Sequence, residues 1–192
     1  MNADSVLKLV GNTPLVRINR LNPNPRVTIW AKLESYNPAG SVKDRVAVAM
    51  IEDAEAKGEL SPDKTIIEAT SGNTGIGLAM VCAVKGYRLL LIMPESASEE
   101  RKRIMRAYGA EISLTPGHLA TDGAIEEAYR LAREEPESYV LMDQFNNPAC
   151  VDAHYRGTAP EIWEQTGGRV THVVGSMGTS GSVMGTSLWL RD

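Results

Sequence analysis

The feature that most constrains this chain is an alternation of short aliphatic runs with segments of helical period. Strands that alternate with helices of this length pair in parallel, and the helices cover the faces of the sheet. The run at 89–93 is apolar on consecutive residues, which is typical of a strand buried on both faces. The sequence therefore predicts an α/β fold with mostly parallel sheets.

The predicted elements follow one another along the chain, and the Asn-Pro-Asn-Pro segment at 22–25 predicts a turn between the first two strands. The predicted strands lie at 14–18, 27–33, 65–69, 88–93, 111–114, 139–142 and 171–174. The predicted helices lie at 42–57, 74–86, 98–108, 122–134, 149–166 and 181–191.

Composition excludes several classes of function. The 192 residues, 43% of them hydrophobic, suffice for one substantial domain or two small lobes. A net charge of -4 argues against a nucleic-acid or anionic-membrane surface. Cys82 and Cys150 match no metal-ligand spacing, so we expect structural thiols and no metal. No signal peptide is visible and the apolar runs are short, which predicts a cytoplasmic protein.

A lysine stands at the predicted start of the helix at 42–57. Ser41 followed by Asp44 resembles a capping box, which makes Ser41 the N-cap and Lys43 the second helical residue. The positive end of the helix, together with nearby Arg45, disfavours an ammonium there, and the free amine is the form that attacks an aldehyde. Taken alone, a surface lysine offset by Asp44 explains the pattern better.

Glycine and hydroxyl residues occupy the turn at 70–75, between the predicted strand 65–69 and a helix. Such a turn directs several backbone N–H groups toward one point at a positive helix terminus, which suits a carboxylate or a phosphate. It is not a P-loop, because no Gly-Lys-Ser/Thr follows. A plain glycine-rich turn would show the same pattern.

A second turn of this kind, Gly-Ser-Met-Gly-Thr-Ser-Gly, lies at 175–181 before the last predicted helix. Its spacing is not that of a dinucleotide fingerprint, so a single phosphate fits better than a pyrophosphate. One phosphate site, one carboxylate site and one reactive lysine together describe pyridoxal phosphate (PLP) with an amino acid.

The three loops resemble the lysine, asparagine and phosphate loops of the tryptophan-synthase-β-like PLP enzymes. The Gly-Asn-Thr-Pro-Leu segment at 11–15 resembles the opening signature of the cysteine synthase branch in the cysteine synthase/cystathionine β-synthase family. The chain is most similar to the B-type cysteine synthases, or O-acetylserine sulfhydrylases, at 37–45, 105–110, 143–148 and 160–167. The resemblance implies the tryptophan synthase β-like PLP-dependent fold, with mostly parallel sheets in two lobes.

The resemblance also implies a role for individual residues. Lys43 would bond to the cofactor and carry protons, and Asn73 would hydrogen-bond the ring hydroxyl of the cofactor. The cofactor phosphate would be held by Ser176, Met177, Gly178, Thr179 and Ser180. The substrate carboxylate would be bound by Thr70, Ser71, Gly72, Asn73, Thr74 and Gln144.

The implied reaction is a β-replacement that makes L-cysteine from O-acetyl-L-serine and sulfide, or another sulfur donor such as thiosulfate. The implied partners are the amino-acid substrate, the sulfur donor and a second copy in a homodimer, with no nucleic acid and no membrane. The loop at 70–75 is expected to close on the substrate and exclude water. Two alternatives stay open: a cystathionine β-synthase-like enzyme, which shares all three loops, and a catalytically dead truncated paralogue that acts as a binding protein.

The family pattern implies a division into domains. Residues 1–44 would begin a large PLP domain, 45–150 would form a small α/β domain, and 151–192 would resume the large domain with its phosphate loop. Family members continue further and carry a later serine-glycine loop, so we expect the C-terminal part of the large domain to be missing here. A strand at 171–174 would then lack neighbours and expose an apolar face. We therefore expect this chain alone to be poorly stable, to bind PLP weakly, and to turn over slowly or not at all.

Overall fold

The computed structural model describes residues 3–192, so the first two residues of the predicted segment 1–44 lie outside the described part. Its strands form an antiparallel pair and a four-stranded parallel sheet. The antiparallel pair consists of β1 (Leu15–Ile18) and β2 (Ile29–Lys32). The parallel sheet has the order β5-β4-β3-β6 and consists of β3 (Thr65–Ala69), β4 (Arg88–Pro94), β5 (Glu111–Thr115) and β6 (Tyr139–Leu141).

The helices occupy the predicted segments. They are α1 (Lys43–Ala56), α2 (Asn73–Lys85), α3 (Glu99–Ala107), α4 (Ala120–Glu134), α5 (Ala149–Ala153), α6 (Ala159–Gln165) and α7 (Gly181–Arg191). A π-helical stretch, His154–Thr158, joins α5 to α6, so the helix predicted at 149–166 is present but locally wider than an α-helix. The predicted α/β fold is confirmed.

The parallel sheet is covered on both faces. Ile66 of β3 and Leu91 of β4 are fully buried on the face that α1 and α2 cover. Ile92 is fully buried on the other face, against Ala124 and Ala128 of α4. Consecutive aliphatic residues in these strands therefore meet helices on alternate sides, as the run at 89–93 predicted.

The predicted strand at 171–174 was wrong. These residues have no regular secondary structure, and Val174 is 97% exposed. A parallel strand needs a neighbour to complete its hydrogen bonds, and among residues 3–192 no strand pairs with this segment. The apolar side chains of Val173, Val174 and Met177 are exposed, as we expected of an uncovered face.

A buried ionic cluster ties the N-terminal segment to the helices. Arg45 of α1 donates to Glu34 at 2.7 Å and to Glu161 of α6 at 2.7 Å. Lys32 of β2 also donates to Glu161, at 2.6 Å, and the Thr13 hydroxyl donates to Glu34 at 2.6 Å. The segment 11–15, through the contact of Thr13 with Glu34, is thus linked to Arg45 in the first turn of α1.

Candidate active site

Lys43 is the first residue of α1 and is half-buried. The Ser41 hydroxyl accepts a hydrogen bond from the Lys43 N–H at 3.1 Å, and the Asp44 N–H donates to the Ser41 carbonyl at 3.3 Å. The N-cap is Val42 and Lys43 is the first helical residue, so the predicted N-cap at Ser41 was wrong by one position, although the Ser41 hydroxyl still binds the first N–H of the helix.

The carboxyl group of Asp44 fixes the turn before the helix. It is fully buried and accepts from the Ala39 N–H at 2.6 Å. Burial raises the pKa of Asp44 to about 6, although the Ala39 N–H and the Ser41 hydroxyl favour the ionised form. The lysine loop is thus held by a carboxyl group that titrates close to neutral pH.

Arg45 does not contribute the free positive charge that we expected beside Lys43. Its guanidinium is bound by Glu34 and Glu161, two carboxylates whose pKa values lie below the usual range partly because of this contact. Lys32 also binds Glu161, so the cluster contains two positive and two negative charges, and the guanidinium is paired and anchors the start of α1.

In the turn at 70–74 the threonine hydroxyl groups and the asparagine amide differ in their exposure to solvent. Thr70 and Thr74 are buried, whereas Asn73 is exposed at the start of α2. The Gly72 N–H donates to the Thr70 hydroxyl at 3.2 Å, which tightens the turn. A Cβ at Gly75 would lie 2.8 Å from Met105 Cε, so a side chain at this position would require the end of the Met105 side chain to move.

Gln144 reaches the same turn from the loop after β6. It is 6% exposed, and its Oε1 accepts from the Thr74 hydroxyl at 2.6 Å. Its Nε2 donates to Glu68 Oε1 at 3.1 Å and, more weakly, to the Ala69 carbonyl at 3.4 Å. The structure thus brings together two predicted carboxylate-binding segments that are 70 residues apart in sequence.

Glu68 is a buried acid in contact with this hydrogen-bonded pair, and the sequence analysis gave it no role. It lies in β3 with 2% exposure, and burial raises its pKa to about 8. Its Oε2 has no hydrogen-bond partner among the described residues. A signal was present in the sequence: an acid inside a strand that is otherwise aliphatic on both faces must be neutral or paired.

Close helix contacts bring the lysine loop and the glycine-rich turns into one region. A Cβ at Gly77 in α2 would lie 3.2 Å from the Lys43 carbonyl. A Cβ at Gly181 in α7 would lie 2.9 Å from the Cys150 carbonyl in α5, and α5 also packs against α1. The N-terminus of α2 therefore packs against the start of α1, and the N-terminus of α7 packs against α5, which itself contacts α1.

The loop at 176–180 is exposed at its first three residues, and its backbone N–H groups have no protein acceptors among the described residues. Ser176, Met177 and Gly178 are exposed, and a Cβ at Gly178 would meet nothing within 4 Å. Within residues 3–192, none of the backbone N–H groups of this loop donates to a protein acceptor. Ser180, at φ 66, turns the chain into α7. Free donors at a helix N-terminus fit a phosphate group such as that of PLP.

Three further observations delimit the site. Within the described residues, no hydrogen bond joins the loop at 176–180 to Lys43 or to the turn at 70–74. No group of His, Cys, Asp and Glu side chains in this part of the chain is arranged to hold a metal ion. No helix between residues 3 and 192 is long and apolar enough to cross a membrane.

The chain belongs to the pyridoxal-phosphate dependent enzyme family, whose model matches residues 6–192. The match confirms the class of cofactor that the three loops indicated. Over 183 residues the chain is 55% identical to cysteine synthase B of Salmonella typhimurium. The aligned region covers 95% of this chain and 60% of that protein.

Solved structures agree. Cysteine synthase (OASS) from Entamoeba histolytica superposes with a TM-score of 0.95 at 44% identity, over 100% of this chain and 57% of that one. A hydrogen sulfide-producing enzyme from Fusobacterium nucleatum superposes with a TM-score of 0.93 at 46% identity, over 100% of this chain and 62% of that one. The resemblance and the PLP-dependent fold are confirmed, and the chain spans about three fifths of the length of these relatives.

Proposed function

We propose that this chain is the part of a PLP-dependent cysteine synthase that carries the reactive lysine, the carboxylate turn and the phosphate loop. In the proposed reaction, O-acetyl-L-serine and sulfide give L-cysteine with loss of acetate; thiosulfate as another donor would add to the same carbon and give S-sulfo-L-cysteine. The observation that carries the proposal is the Thr74–Gln144 hydrogen bond of 2.6 Å. It joins two predicted carboxylate-binding segments beside the helix that Lys43 begins, and 55% identity to a cysteine synthase B supports the same reaction.

Each predicted residue then has a task. The turn Thr70, Ser71, Gly72, Asn73 and Thr74 binds the substrate carboxylate through N–H groups at the start of α2, and Gln144 closes the pocket from its own loop. The loop at 176–180 binds the cofactor phosphate, and the Asn73 amide binds its ring hydroxyl.

Lys43 is the proton carrier in this proposal. PLP supplies an electron sink that stabilises negative charge at the substrate α-carbon. The Lys43 amine removes the α-proton, acetate leaves the β-carbon, the sulfur donor adds there, and Lys43 returns the proton. Ser41 and Asp44 fix the turn from which the Lys43 side chain acts. Closure of the turn at 70–75 excludes water from the reacting carbon.

We also propose the organisation that the resemblance implies. Residues 1–44 and 151–192 belong to a large PLP domain, and 45–150 form a small α/β domain that contains the parallel sheet. A homodimer in the cytoplasm agrees with the family pattern.

The proposal is tested by turnover in the presence of PLP. The protein is given O-acetyl-L-serine and sulfide, and L-cysteine is measured. Lys43→Ala is expected to lower the rate at least about a hundredfold, because its amine is the proton carrier. Lys57→Ala, at the exposed end of the same helix, is the matched control and is expected to leave the rate unchanged. An unaltered rate in Lys43→Ala would contradict the assignment.

The chain is also similar to a hydrogen sulfide-producing enzyme, so a second sulfur reaction is a candidate function. Supplying sulfide, thiosulfate or homocysteine in separate reactions and identifying the amino-acid product separates a cysteine synthase from a cystathionine β-synthase-like enzyme. Cofactor binding without any amino-acid product would favour the binding-protein alternative.

A further inference from the structure

A continuous chain of buried hydrogen bonds runs from the proposed carboxylate site into the parallel sheet. The Thr74 hydroxyl donates to Gln144 Oε1 at 2.6 Å, and Gln144 Nε2 donates to Glu68 Oε1 at 3.1 Å. All three side chains are at most 6% exposed, so water does not replace these contacts. The chain therefore connects a residue that no role has yet been given, Glu68, to two residues proposed to hold substrate.

The direction of the Gln144 amide depends on Glu68. A threonine hydroxyl donates or accepts equally well, so Thr74 alone leaves the amide free to flip. Glu68 Oε1 and the Ala69 carbonyl both accept from Nε2, at 3.1 Å and 3.4 Å, and the carboxyl contact is the shorter. The acceptors on β3 turn Nε2 toward the sheet and Oε1 toward Thr74.

The backbone of Gln144 is held from the opposite side. Asp143 adopts φ 51, a conformation that costs free energy in a non-glycine residue. Its carboxylate accepts from the Tyr129 hydroxyl at 2.6 Å and from Asn146 Nδ2 at 3.1 Å. Backbone strain of this kind is concentrated at functional sites, where the surrounding contacts hold it in place.

The protonation state of Glu68 fits the same role. Burial, with a further contribution from the Asp143 charge, raises its pKa to about 8, although Gln144 favours the ionised form. Tyr129 of α4 and Cys150 of α5 lie close enough for the Glu68 charge to raise their pKa values, and neither is a cation. At neutral pH Glu68 is therefore a neutral acceptor for the amide. Its Oε2 is buried without a partner, a cost that an apolar residue would avoid.

We propose that Glu68 is a positioning residue for the substrate carboxylate: it orients the Gln144 amide and, through it, the Thr74 hydroxyl and the turn at 70–74. This inference rests on the proposed function, because it assigns Glu68 to the same pocket. Glu68 touches neither substrate nor cofactor and acts only through Gln144.

Two substitutions separate positioning from packing. Glu68→Gln keeps a neutral acceptor of the same shape, whereas Glu68→Leu keeps the volume and removes the acceptor. In the PLP-loaded protein, Glu68→Leu is expected to raise KM for O-acetyl-L-serine about tenfold with kcat within about threefold, since one oriented contact to the carboxylate is lost. Glu68→Gln is expected to stay within about twofold of wild type. Glu111→Gln, an exposed carboxylate on β5, is the matched control.

A second readout needs neither cofactor nor turnover. The side-chain amide protons of Gln144 are observed by NMR and assigned by their loss in Gln144→Glu. We expect them to be protected from solvent exchange in wild type and Glu68→Gln, and to exchange faster in Glu68→Leu. The melting temperature of Glu68→Leu should equal or exceed that of wild type, which would show that lost affinity does not come from unfolding.

The outcomes are distinguishable. If wild type takes up no PLP at Lys43, the proposed function fails. If it takes up PLP but forms cysteine too slowly to measure, the amide exchange alone decides the role of Glu68. Unchanged KM and unchanged amide protection in Glu68→Leu would overturn the inference. A Glu68→Gln variant as impaired as Glu68→Leu would also overturn it, because the neutral acceptor would then not be what matters.

Discussion

At the scale of single residues, two glycines decide how closely α7 approaches its neighbour. A Cβ at Gly181 would meet the Cys150 carbonyl at 2.9 Å, and one at Gly185 would meet the Val151 carbonyl and, at 2.8 Å, the Tyr155 nitrogen. Both contacts are with backbone, which cannot move aside as a flexible side chain can. The start of α7, and with it the proposed phosphate loop, is placed by the absence of these two side chains.

Gly185→Ala is accordingly expected to destabilise the protein by about 1–3 kcal/mol through overpacking. Ser187→Ala, on the exposed side of the same helix, should change the free energy of unfolding by less than about 0.5 kcal/mol. Denaturant unfolding of the two variants measures both values. Equal stability of Gly185→Ala and wild type would show that α7 does not pack this closely.

Glu68 makes the free energy of unfolding depend on pH, and the sign of that dependence follows from its raised pKa. Its pKa is raised by burial from 4.5 to about 8, so the folded state keeps a proton that the unfolded state loses. The stability it contributes is complete below about pH 4.5 and is lost as pH rises toward 8, with a slope of at most about 1.4 kcal/mol per pH unit.

Glu68→Gln cannot titrate and should lack this loss. Free energies of unfolding measured for both proteins between pH 5 and pH 8 should therefore diverge, with wild type falling relative to the variant. Parallel pH curves would mean that Glu68 titrates normally in the folded protein.

Residue-level reasoning from the sequence found the loops but not their connections. Lys43, the turn at 70–75 and the loop at 175–181 were recognisable because glycine, hydroxyl and helix-start patterns are local. The hydrogen bond between Glu68 and Gln144 was not recognisable from the sequence, because it depends on the pairing of β3 with β6 in the sheet. A lone acid in an aliphatic strand was the available clue.

At the scale of elements, the helices and all strands but one lie where periodicity placed them. The strand at 171–174 failed because a local aliphatic pattern cannot say whether a neighbouring strand exists. The π-helical stretch His154–Thr158 was also beyond local pattern. There a Cβ at Gly157 would lie 3.3 Å from Arg45 Nη1, so this turn packs closely against a residue 112 positions earlier in the chain.

The ionic cluster that links β2, α1 and α6 has a testable strength. Arg45→Met leaves Glu34 and Glu161 without their main partner in a largely buried place, and it should destabilise the protein by about 3–5 kcal/mol. Arg130→Met is the matched control, because Arg130 pairs with Glu127 and Glu134 on the surface of α4, and it should cost at most about 1 kcal/mol. A loss in Arg45→Met no larger than in the control would contradict the structure of the cluster.

The same cluster fixes the response to acid. The pKa of Glu161 is lowered to about 2, with burial opposing and Arg45 and Lys32 producing the shift, and the pKa of Glu34 is also lowered. Their stabilisation is present above about pH 4.5 and is lost as pH falls toward 2. Arg45→Met should therefore lose less stability than wild type when unfolding is measured from pH 5 to pH 3, and an equal loss would contradict this assignment.

At the scale of the whole molecule, three helix N-termini are assembled by close backbone contacts, and each presents a different group. The start of α1 presents Lys43, that of α2 the turn at 70–74, and that of α7 the open loop at 176–180. The family explains why one chain contains all three. The assembly lies in a chain that spans about three fifths of its relatives' length, so cofactor capture is the property to test first.

The most direct test is to incubate the protein with PLP, reduce it with borohydride and map the modified peptide by mass spectrometry. Reduction makes the bond between the cofactor aldehyde and its lysine permanent. We predict that labelling is confined to Lys43 and approaches one equivalent only at saturating PLP, that the protein with Lys43→Ala carries none, and that labelling is unchanged with Lys57→Ala. Labelling spread over several lysines, or persisting in Lys43→Ala, would contradict the assignment of Lys43 as the lysine that carries the cofactor.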